Sequence, residues 1–484
     1  MNRSRCLAFL LVLCLAPFSA AQDAHYRPIL NAKDVEATLG TSWYGVYLKD
    51  KKIGYCKIGS ERDGGTILES MTINMKLVSF NKKAEVKISQ TMLFEAKEPY
   101  RLLQGGFDAD DGGSTTKITA KRKDKGFEYT IVAAGQKRTK EVAELDYTLA
   151  DSIGSEVWLR TRPQVGDKIL VRSLDIEDWK NDELTHTMKA IKTSLVGGVD
   201  VKFHEVESRS KKTMISYLSR HDDKGKVLSS HIAIFELRRE TEEQAKNTEF
   251  SADIFVLGMA KLDRGVGHTT KLTELVLEVD GKEGDFLKNG PRQTVVEQAG
   301  KGRLIKIGKK HGVEAKATAA ELKENLEETN AYAISNAKIK ALAKEAIGDA
   351  NTDEEKVRRI VAFAYRTIKP EMIATLPNIH DLIEKKSGDC KCYSLFVANL
   401  SRAAGVSCRE VAGLVYMGDD AKAFGGHAWN EVVIGGVWVP IDATLNQMEL
   451  DAGHISFGEM RSATSAILQS AGKLSFRAVA WTSK

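Results

Sequence analysis

A cysteine lies at the junction between a polar turn and an apolar segment of helical length in the C-terminal part of the chain. The turn is Ser387-Gly388-Asp389, and the segment runs from Cys390 to Leu400. The unpaired backbone N–H groups in the first turn of a helix favour negative charge, so they would stabilise a thiolate at Cys390. The same groups could stabilise an oxyanion that forms beside the sulfur. The pattern therefore predicts a nucleophilic cysteine.

A base and its orienting partner come from two strand-like runs joined by Gly435-Gly436. This pair predicts a tight hairpin in which Ile434 faces Val437. His427 and Asp442 are then diagonal neighbours on one face of the sheet, roughly 7–8 Å apart at the backbone, which a histidine–carboxylate hydrogen bond can span. The opposite face is apolar and predicted to be buried.

These three residues have the roles that nucleophilic thiol catalysis requires. Cys390 supplies the thiolate, His427 takes and returns a proton, and Asp442 fixes the tautomer and orientation of the imidazole. Each residue taken singly is more often structural. Together they favour an enzyme.

The segments around this site are a buried helix and a strand. The helix is predicted to begin at Cys390 and end at Ala404, because Gly405 suits a C-terminal cap, and Cys408 to Tyr416 is a strand candidate. Cys392 points about 200° away from Cys390 on a helix, so both sulfurs cannot address one histidine. Packing is favoured for Cys392 over a disulfide with Cys408 or a response to oxidation.

Three aromatic or imidazole side chains near the hairpin are assigned structural roles. His454 follows the hairpin and could line the cleft, although a structural histidine is favoured. Trp429 and Trp438 share the face of His427 and are expected to pack the central helix against the sheet.

Four motifs resemble the core of the transglutaminase-like superfamily, over roughly Asn336 to Phe457. They are Gly388-Asp389-Cys390, Leu400-Ser401-Arg402-Ala403-Ala404-Gly405-Val406, Gly426-His427-Ala428-Trp429-Asn430-Glu431-Val432 and Trp438-Val439-Pro440-Ile441-Asp442-Ala443-Thr444. The resemblance implies a papain-like fold and acyl transfer through a thioester. The attacked group would be a glutamine side-chain amide or a peptide bond, and the acceptor an amine or water.

The sequence departs from the family pattern in small ways. Ala443 stands where the family often has proline, and no side chain upstream of Cys390 identifies itself as part of an oxyanion hole. No acidic cluster has calcium-loop spacing, so the calcium dependence of animal transglutaminases is not carried over. Five histidines of the N-terminal half show no metal-ligand spacing, and no metal or other cofactor is predicted. They are His186, His204, His221, His231 and His268.

Length and pattern predict an α+β protein with more than one domain. The chain has 484 residues, and alternating strand patterns separated by turns run from about Trp43 to Gly302, whereas helical patterns begin near Thr318. We expect an antiparallel β-rich N-terminal region over residues 22–302, with room for two subdomains. Residues 318–484 are expected to form the papain-like catalytic domain, with helices packed on an antiparallel sheet.

The first residues have the pattern of an export signal. Arg3 and Arg5 precede the apolar stretch Cys6 to Phe18, and Ser19-Ala20-Ala21 supplies small residues for cleavage before Gln22. Residues 1–21 are therefore predicted to be a signal peptide. The mature protein is expected to be a bacterial periplasmic or extracellular protein without stable membrane insertion.

Several functions remain open at this level. The first is a thiol acyltransferase, or a protease or amidase with the same triad, acting on a protein or peptide. The second is a non-catalytic binding or assembly protein that uses the β-rich half, and the third is an amidase similar to peptide N-glycanase. Basic and acidic residues number 71 and 66 and are mixed along the chain, so a nucleic-acid partner is not expected. The oligomeric state is open.

Overall fold

A computed structural model describes most of the chain. It covers residues 25–48, 50–79, 82–110, 115–133, 136–196, 199–211, 216–232, 235–248, 259–279, 287–298, 302–373, 377–460 and 473–484. The predicted signal peptide lies outside these residues.

The described part holds nine α-helices and twenty-five strands, numbered here in chain order. The helices are α1 Ala32–Thr38, α2 Leu149–Ser152, α3 Gly154–Arg160, α4 Glu242–Lys246, α5 Ala319–Glu324, α6 Ala337–Ile347, α7 Asp353–Thr367, α8 Ile379–Lys385 and α9 Cys390–Ala403. The strands are β1 Gly40–Leu48, β2 Lys51–Asp63, β3 Thr66–Ser79, β4 Lys82–Glu95, β5 Leu102–Asp110, β6 Thr115–Lys123, β7 Gly126–Ala133, β8 Gln136–Val142, β9 Lys168–Asp175, β10 Lys180–Val196, β11 Val199–Ser210, β12 Ser216–His221, β13 Val227–Ile232, β14 Phe235–Glu240, β15 Ala260–Leu262, β16 Leu272–Val279, β17 Gln293–Gln298, β18 Gly302–Gly308, β19 Lys369–Pro370, β20 Ser387–Gly388, β21 Cys408–Tyr416, β22 Ala423–Ile434, β23 Val437–Ile441, β24 His454–Glu459 and β25 Ser475–Ser483.

Strands β1 to β14 form one antiparallel sheet, called here the N-terminal sheet. Its strand order is β8-β7-β6-β5-β4-β3-β2-β1-β14-β13-β12-β11-β10-β9. Consecutive strands are therefore neighbours, except that β8 and β9 lie at the two ends of the sheet, and β1 pairs with β14. Alternating patterns such as Thr72-Ile73-Asn74-Met75 produce these strands, because successive side chains point to opposite faces. The prediction of a β-rich N-terminal half is confirmed.

Strands β15 to β18 and β21 to β25 form a second sheet, called here the C-terminal sheet. Its order is β17-β18-β16-β25-β15-β22-β21-β24. Strand β23 lies off this path and pairs with β22, along a different part of that strand from β15. Strands β15 to β18 span residues 260–308, which the sequence analysis placed mostly in the N-terminal region. They hydrogen-bond with strands that follow residue 408, so the division between the two sheets falls earlier in the chain than the predicted domain boundary.

Helices α6 to α9 pack on one face of the C-terminal sheet, as the helix-plus-sheet prediction requires. Asn336 and Thr352 cap the N-termini of α6 and α7 by accepting backbone hydrogen bonds. The buried faces of the four helices share an apolar core with Val432 and Ile441 from β22 and β23. The α+β fold class is therefore confirmed.

The edge of the N-terminal sheet contacts the helical region. Asn330 donates to the Tyr129 hydroxyl at 3.2 Å, and Arg138 contacts Nδ1 of His380 at 3.0 Å.

Among the described residues, none of the helices has the length and apolar character needed to cross a bilayer.

Candidate active site

Cys390 is the first residue of helix α9. Asp389 caps this helix, and its carboxylate accepts from the backbone N–H of Lys391 at 3.1 Å. As the first helical residue, Cys390 has a backbone N–H with no acceptor one turn earlier in the helix. The helix ends at Ala403, one residue before the predicted Ala404, and Gly405 follows with a φ of 82°. The helix prediction is confirmed.

Cys390 differs from the other described cysteines in its exposure. It is partly exposed, whereas Cys56, Cys392 and Cys408 are buried, and all four are free thiols. Burial raises the pKa of each of the three buried thiols to about 12, with the neighbouring Asp389 adding to the effect at Cys392. Cys392 packs in the helical core, so packing is confirmed and the disulfide with Cys408 is not formed.

Gly388 is required by the close approach of Cys392. A Cβ atom at position 388 would lie 2.1 Å from the sulfur of Cys392 and 2.5 Å from its Cβ. The glycine therefore lets the turn pass directly over the first turn of α9. This close contact sets where the helix begins, and with it where Cys390 lies.

Helix α9 is tied to the sheet by buried polar contacts. Ser394 donates to Glu410 of β21 at 2.8 Å, and Tyr332 donates to the other oxygen of the same carboxyl at 2.9 Å. The Asn430 side chain of β22 donates to the carbonyl of Ser394 at 2.9 Å. Since β22 also carries His427, these bonds fix the helix relative to the base.

The hairpin of β22 and β23 has the predicted register. Ile434 pairs with Val437, and Asn430 pairs with Ile441 where the ladder ends. Asp442 follows directly, and its Oδ2 lies 2.7 Å from Nε2 of His427. Both side chains are buried. The predicted histidine–carboxylate hydrogen bond is therefore present.

Asp442 accepts more hydrogen bonds than the sequence predicted. Its Oδ1 accepts from the backbone N–H groups of Thr444 and Leu445 at 2.7 and 3.2 Å. Its Oδ2 lies 3.1 Å from Nε2 of His454, in addition to the bond with His427. Four donors therefore converge on one buried carboxylate and hold it in place.

His454 is the residue whose role the sequence analysis missed. Its Nδ1 lies 3.0 Å from Oδ1 of Asp451, so its imidazole connects two carboxylates. His454 begins β24, which pairs with β21 opposite to β22. The only signal in the sequence was its position shortly after the hairpin, and the strand pairing that places it is not visible there.

The electrostatics of this group follow from burial and pairing. Burial by itself would lower the pKa of His427, but the charge and hydrogen bond of Asp442, together with the neighbouring Cys390, raise that pKa to about 10. Burial would raise the pKa of Asp442, and its contacts with the two histidines lower that pKa instead. The pKa of His454 is raised against its own burial by Asp442 and Asp451. An imidazolium beside the cysteine is thus favoured.

The two tryptophans do not have the role expected for them. Trp429 lies in a small cluster with Val411 and Leu450, and its ring is 6.0 Å from His427 and 5.4 Å from His454, centroid to centroid. Trp438 lies beneath the Arg409 guanidinium at 4.0 Å. Helix α9 packs instead on the face of the C-terminal sheet that carries Val432. Trp429 and Trp438 project from the opposite face of that sheet.

One group among the described residues has donor atoms close enough for a metal ion. The donor atoms of His427, Asp442 and His454 all lie within 4.8 Å of one another. Both histidines lie at hydrogen-bond distance from the same carboxylate oxygen, so an ion would have to replace both of these bonds.

The C-terminal part of the chain resembles a known protein family. A cysteine begins a buried helix, and a neighbouring antiparallel sheet holds a histidine and an aspartate against it. Residues 340–443 match the family model described as the transglutaminase-like superfamily. This segment contains Cys390, His427 and Asp442, so the resemblance seen in the sequence is confirmed and supports a thiol-dependent enzyme.

Several solved structures contain chains similar to this one. One is the "Putative Cysteine Protease from Cytophaga hutchinsonii", with 15% identity, 44% of this chain and 85% of that chain covered, and a TM-score of 0.28. A beta-barrel-like protein from Brucella abortus has 8% identity, coverage of 41% and 94%, and a TM-score of 0.30. The "Putative Protease from Parabacteroides distasonis" has 12% identity, coverage of 70% and 69%, and a TM-score of 0.19. No curated protein matches the chain.

Proposed function

We propose that the protein is a thiol enzyme that cleaves or transfers an amide acyl group through a thioester on Cys390. The observation that carries the proposal is the proximity of Cys390, His427 and Asp442, where Asp442 hydrogen-bonds to His427 and Cys390 lies close enough to help raise the pKa of His427. Asp442 engages Nε2 of His427, which leaves Nδ1 for the thiol. This is the arrangement that a nucleophile, a base and an orienting group require.

The reaction follows from these positions. The Cys390 thiolate attacks the amide carbonyl carbon, and the backbone N–H of Cys390, at the first position of α9, is available to stabilise the negative charge that develops on oxygen. The C–N bond breaks, and the His427 imidazolium gives its proton to the departing amine. The acyl group remains on sulfur as a thioester.

The second half of the reaction restores the enzyme. Water or an amine attacks the thioester, and His427 accepts the proton that this nucleophile loses. The C–S bond breaks and returns the thiolate. Water as the acceptor gives a protease or amidase, and an amine gives a transglutaminase, so one site serves both reactions.

Alkylation of the native protein with iodoacetamide at mildly acidic pH tests the site. We expect Cys390 to be labelled selectively, because the other three described cysteines are buried and their pKa values are raised to about 12. These three serve as internal controls when the labelled sites are mapped by peptide mass spectrometry. The His427→Ala variant should lose the selectivity. Equal and slow labelling of all cysteines in the native protein would instead favour the binding or assembly function.

A second experiment separates the two enzymatic outcomes. The protein is incubated with a glutamine-containing protein and a labelled amine, with Cys390→Ala as the control. Incorporation of the label indicates transfer, and new peptide termini indicate proteolysis. If neither appears while Cys390 reacts selectively, the substrate class must lie outside glutamine-containing proteins.

We also propose that the protein is exported, with a protein or peptide as its substrate. The support is the basic, apolar and small-residue succession in residues 1–21. Sequencing of the N-terminus of protein secreted or released from the periplasm should begin at Gln22. Recovery of an intact Met1 from the cytoplasm would contradict this.

A further inference from the structure

A cavity of about 390 Å³ lies within the N-terminal half, apart from the residues of the candidate active site. One face of strands β1 to β4 forms its floor, and the ends of helices α2 and α3 cover it. Its lining includes Ile58 of β2, Met71 of β3, Met92 of β4 and Ile153 between the two helices. The volume is that of a small-molecule site.

The floor of this cavity contains one carboxyl group in an otherwise apolar row. Along β3, alternate residues point to the same face, and these are Ile67, Glu69, Met71 and Ile73. Ile67 belongs to one hydrophobic core, and Met71 and Ile73 pack against another. Glu69 therefore lies where the two cores separate, and the cavity occupies the gap in front of it.

The charged groups around Glu69 are already paired with one another. Lys226, just before β13, lies 3.1 Å from Glu156 of α3, and Arg239 of β14 lies 3.5 Å from Asp222. The partner of Glu69 is the Ser152 hydroxyl, which donates to Oε2 at 2.5 Å. Within the described part of the chain, Glu69 has no ion pair. Because burial outweighs the Ser152 hydrogen bond, the pKa of Glu69 is raised to about 7.

A second polar group with an unused hydrogen-bonding capacity lies beside Glu69. Ser60 of β2 pairs directly with Glu69 across the strands, so their side chains are neighbours on the same face. Ser60 lines the cavity and is 7% exposed, and its Oγ has no hydrogen-bond partner among the described residues. Buried hydroxyl groups are nearly always satisfied, so the Ser60 hydroxyl has hydrogen-bonding capacity that a bound group can use.

We propose that this cavity binds the ammonium group of a small monocationic ligand, with Glu69 as its counter-ion and Ser60 as a hydrogen-bond acceptor. An ammonium group has three donors and no acceptor, which suits a carboxylate beside a hydroxyl oxygen. Ile58, Met71 and Met92 would contact a short aliphatic body. Ile58 is 38% exposed although it lies on the inward face, so the cavity has an apolar wall that a ligand can cover. The ligand class is thus a primary amine, and the proposal does not depend on Cys390.

Calorimetric titration of the full mature chain with three probes of one shape tests the charge preference. The probes are butylamine, butanol and butyrate, which differ at neutral pH in charge and not in their aliphatic body. We expect butylamine to bind at least about tenfold more tightly than butanol, and butyrate not to bind. Equal binding of butylamine and butanol would reduce the cavity to an apolar pocket and overturn the proposal, as would a preference for butyrate.

Variants then assign the effect to Glu69. Glu69→Gln should weaken butylamine binding about tenfold and leave butanol binding unchanged, because only the charge is removed. Glu61→Gln is the matched control, since Glu61 is exposed on the neighbouring strand β2. Ser60→Ala should cause a smaller loss for butylamine. Unchanged butylamine binding in Glu69→Gln would refute the assignment.

The pH dependence provides a test that needs no variant. Glu69 must be ionised to act as a counter-ion, so butylamine affinity should fall about tenfold between pH of about 8 and about 6, given a pKa of about 7. The other charged groups at the cavity, Glu156, Lys226 and Arg239, are held in ion pairs. A flat affinity over this range in the native protein would contradict the role of Glu69.

Discussion

The N-terminal sheet and the C-terminal sheet each surround a carboxyl group with protein, and the two groups have opposite environments. Asp442 accepts two backbone and two imidazole hydrogen bonds, and its pKa is lowered. Glu69 accepts one hydroxyl hydrogen bond, and its pKa is raised to about 7 by burial. Burial favours the neutral form of both, and only Asp442 has enough donors to reverse it.

This difference indicates what each carboxyl group can do. A carboxylate with all its acceptor positions filled cannot take up a new partner, so Asp442 is suited to hold His427 in one orientation. A carboxyl group with few donors and an adjacent cavity can gain from a new donor, so Glu69 is suited to bind one. A fully buried carboxylate therefore has a positioning role in one sheet, and a partly buried carboxyl group has a proposed binding role in the other.

Replacing each carboxyl group by its amide gives the largest expected contrast. Asp442→Asn should slow Cys390 alkylation at mildly acidic pH, and any amidase activity, by on the order of 10³–10⁴-fold, because the amide cannot hold the imidazolium. It should also reduce the free energy of unfolding by about 3–5 kcal/mol, since a buried pair loses one partner. Glu69→Gln should leave the alkylation rate close to that of the native protein and should not lower the free energy of unfolding. Similar losses in the two variants, measured by alkylation kinetics and urea unfolding, would remove the distinction.

His454 should have a smaller effect on the same reaction. Its imidazole contacts the same Oδ2 of Asp442 that His427 contacts, so we class it as a positioning residue. His454→Ala should slow Cys390 alkylation about tenfold and shift its pH profile, because the pKa of His427 depends on Asp442. His454→Gln can still donate to Asp442 and should recover most of the rate.

A purely structural role for His454 predicts a different result. In that case His454→Ala would lower the unfolding free energy while the pH profile of alkylation kept its midpoint. Measuring both quantities in the alanine and glutamine variants distinguishes the two roles.

A further comparison concerns the pH dependence of stability. The pKa of Asp442 is depressed in the folded state, so its stabilisation is present above its unfolded value of about 4 and is lost as the pH falls below that value. The pKa of Glu69 is raised, so its contribution is present below about 4.3 and is lost as the pH rises through about 7. Native protein should therefore lose stability relative to Glu69→Gln between these pH values.

Urea unfolding of the native protein and Glu69→Gln at several pH values measures this difference without added amine. The gap between the two should open in favour of the variant as the pH rises from about 4.3 and should level off above about 7. A gap that is constant with pH would mean that Glu69 titrates in the folded protein as it does in the unfolded chain.

The sequence determined the local structure and the first three residues of the site. Alternation specified the strands, Asp389 and Gly405 marked the ends of α9, and Gly435-Gly436 fixed the register that brings His427 to Asp442. These features could be predicted because each depends on residues close together in the chain, where turn geometry and helix capping act directly.

Only the tertiary structure decided which distant elements meet. The inclusion of β15 to β18 in the C-terminal sheet, and the position of His454 beside Asp442, depend on pairing between strands far apart in sequence. The cavity at Glu69 likewise requires α2 and α3 to cover β1 to β4. Long-range pairing is set by the total burial and hydrogen bonding of the whole fold, and no local pattern encodes that sum.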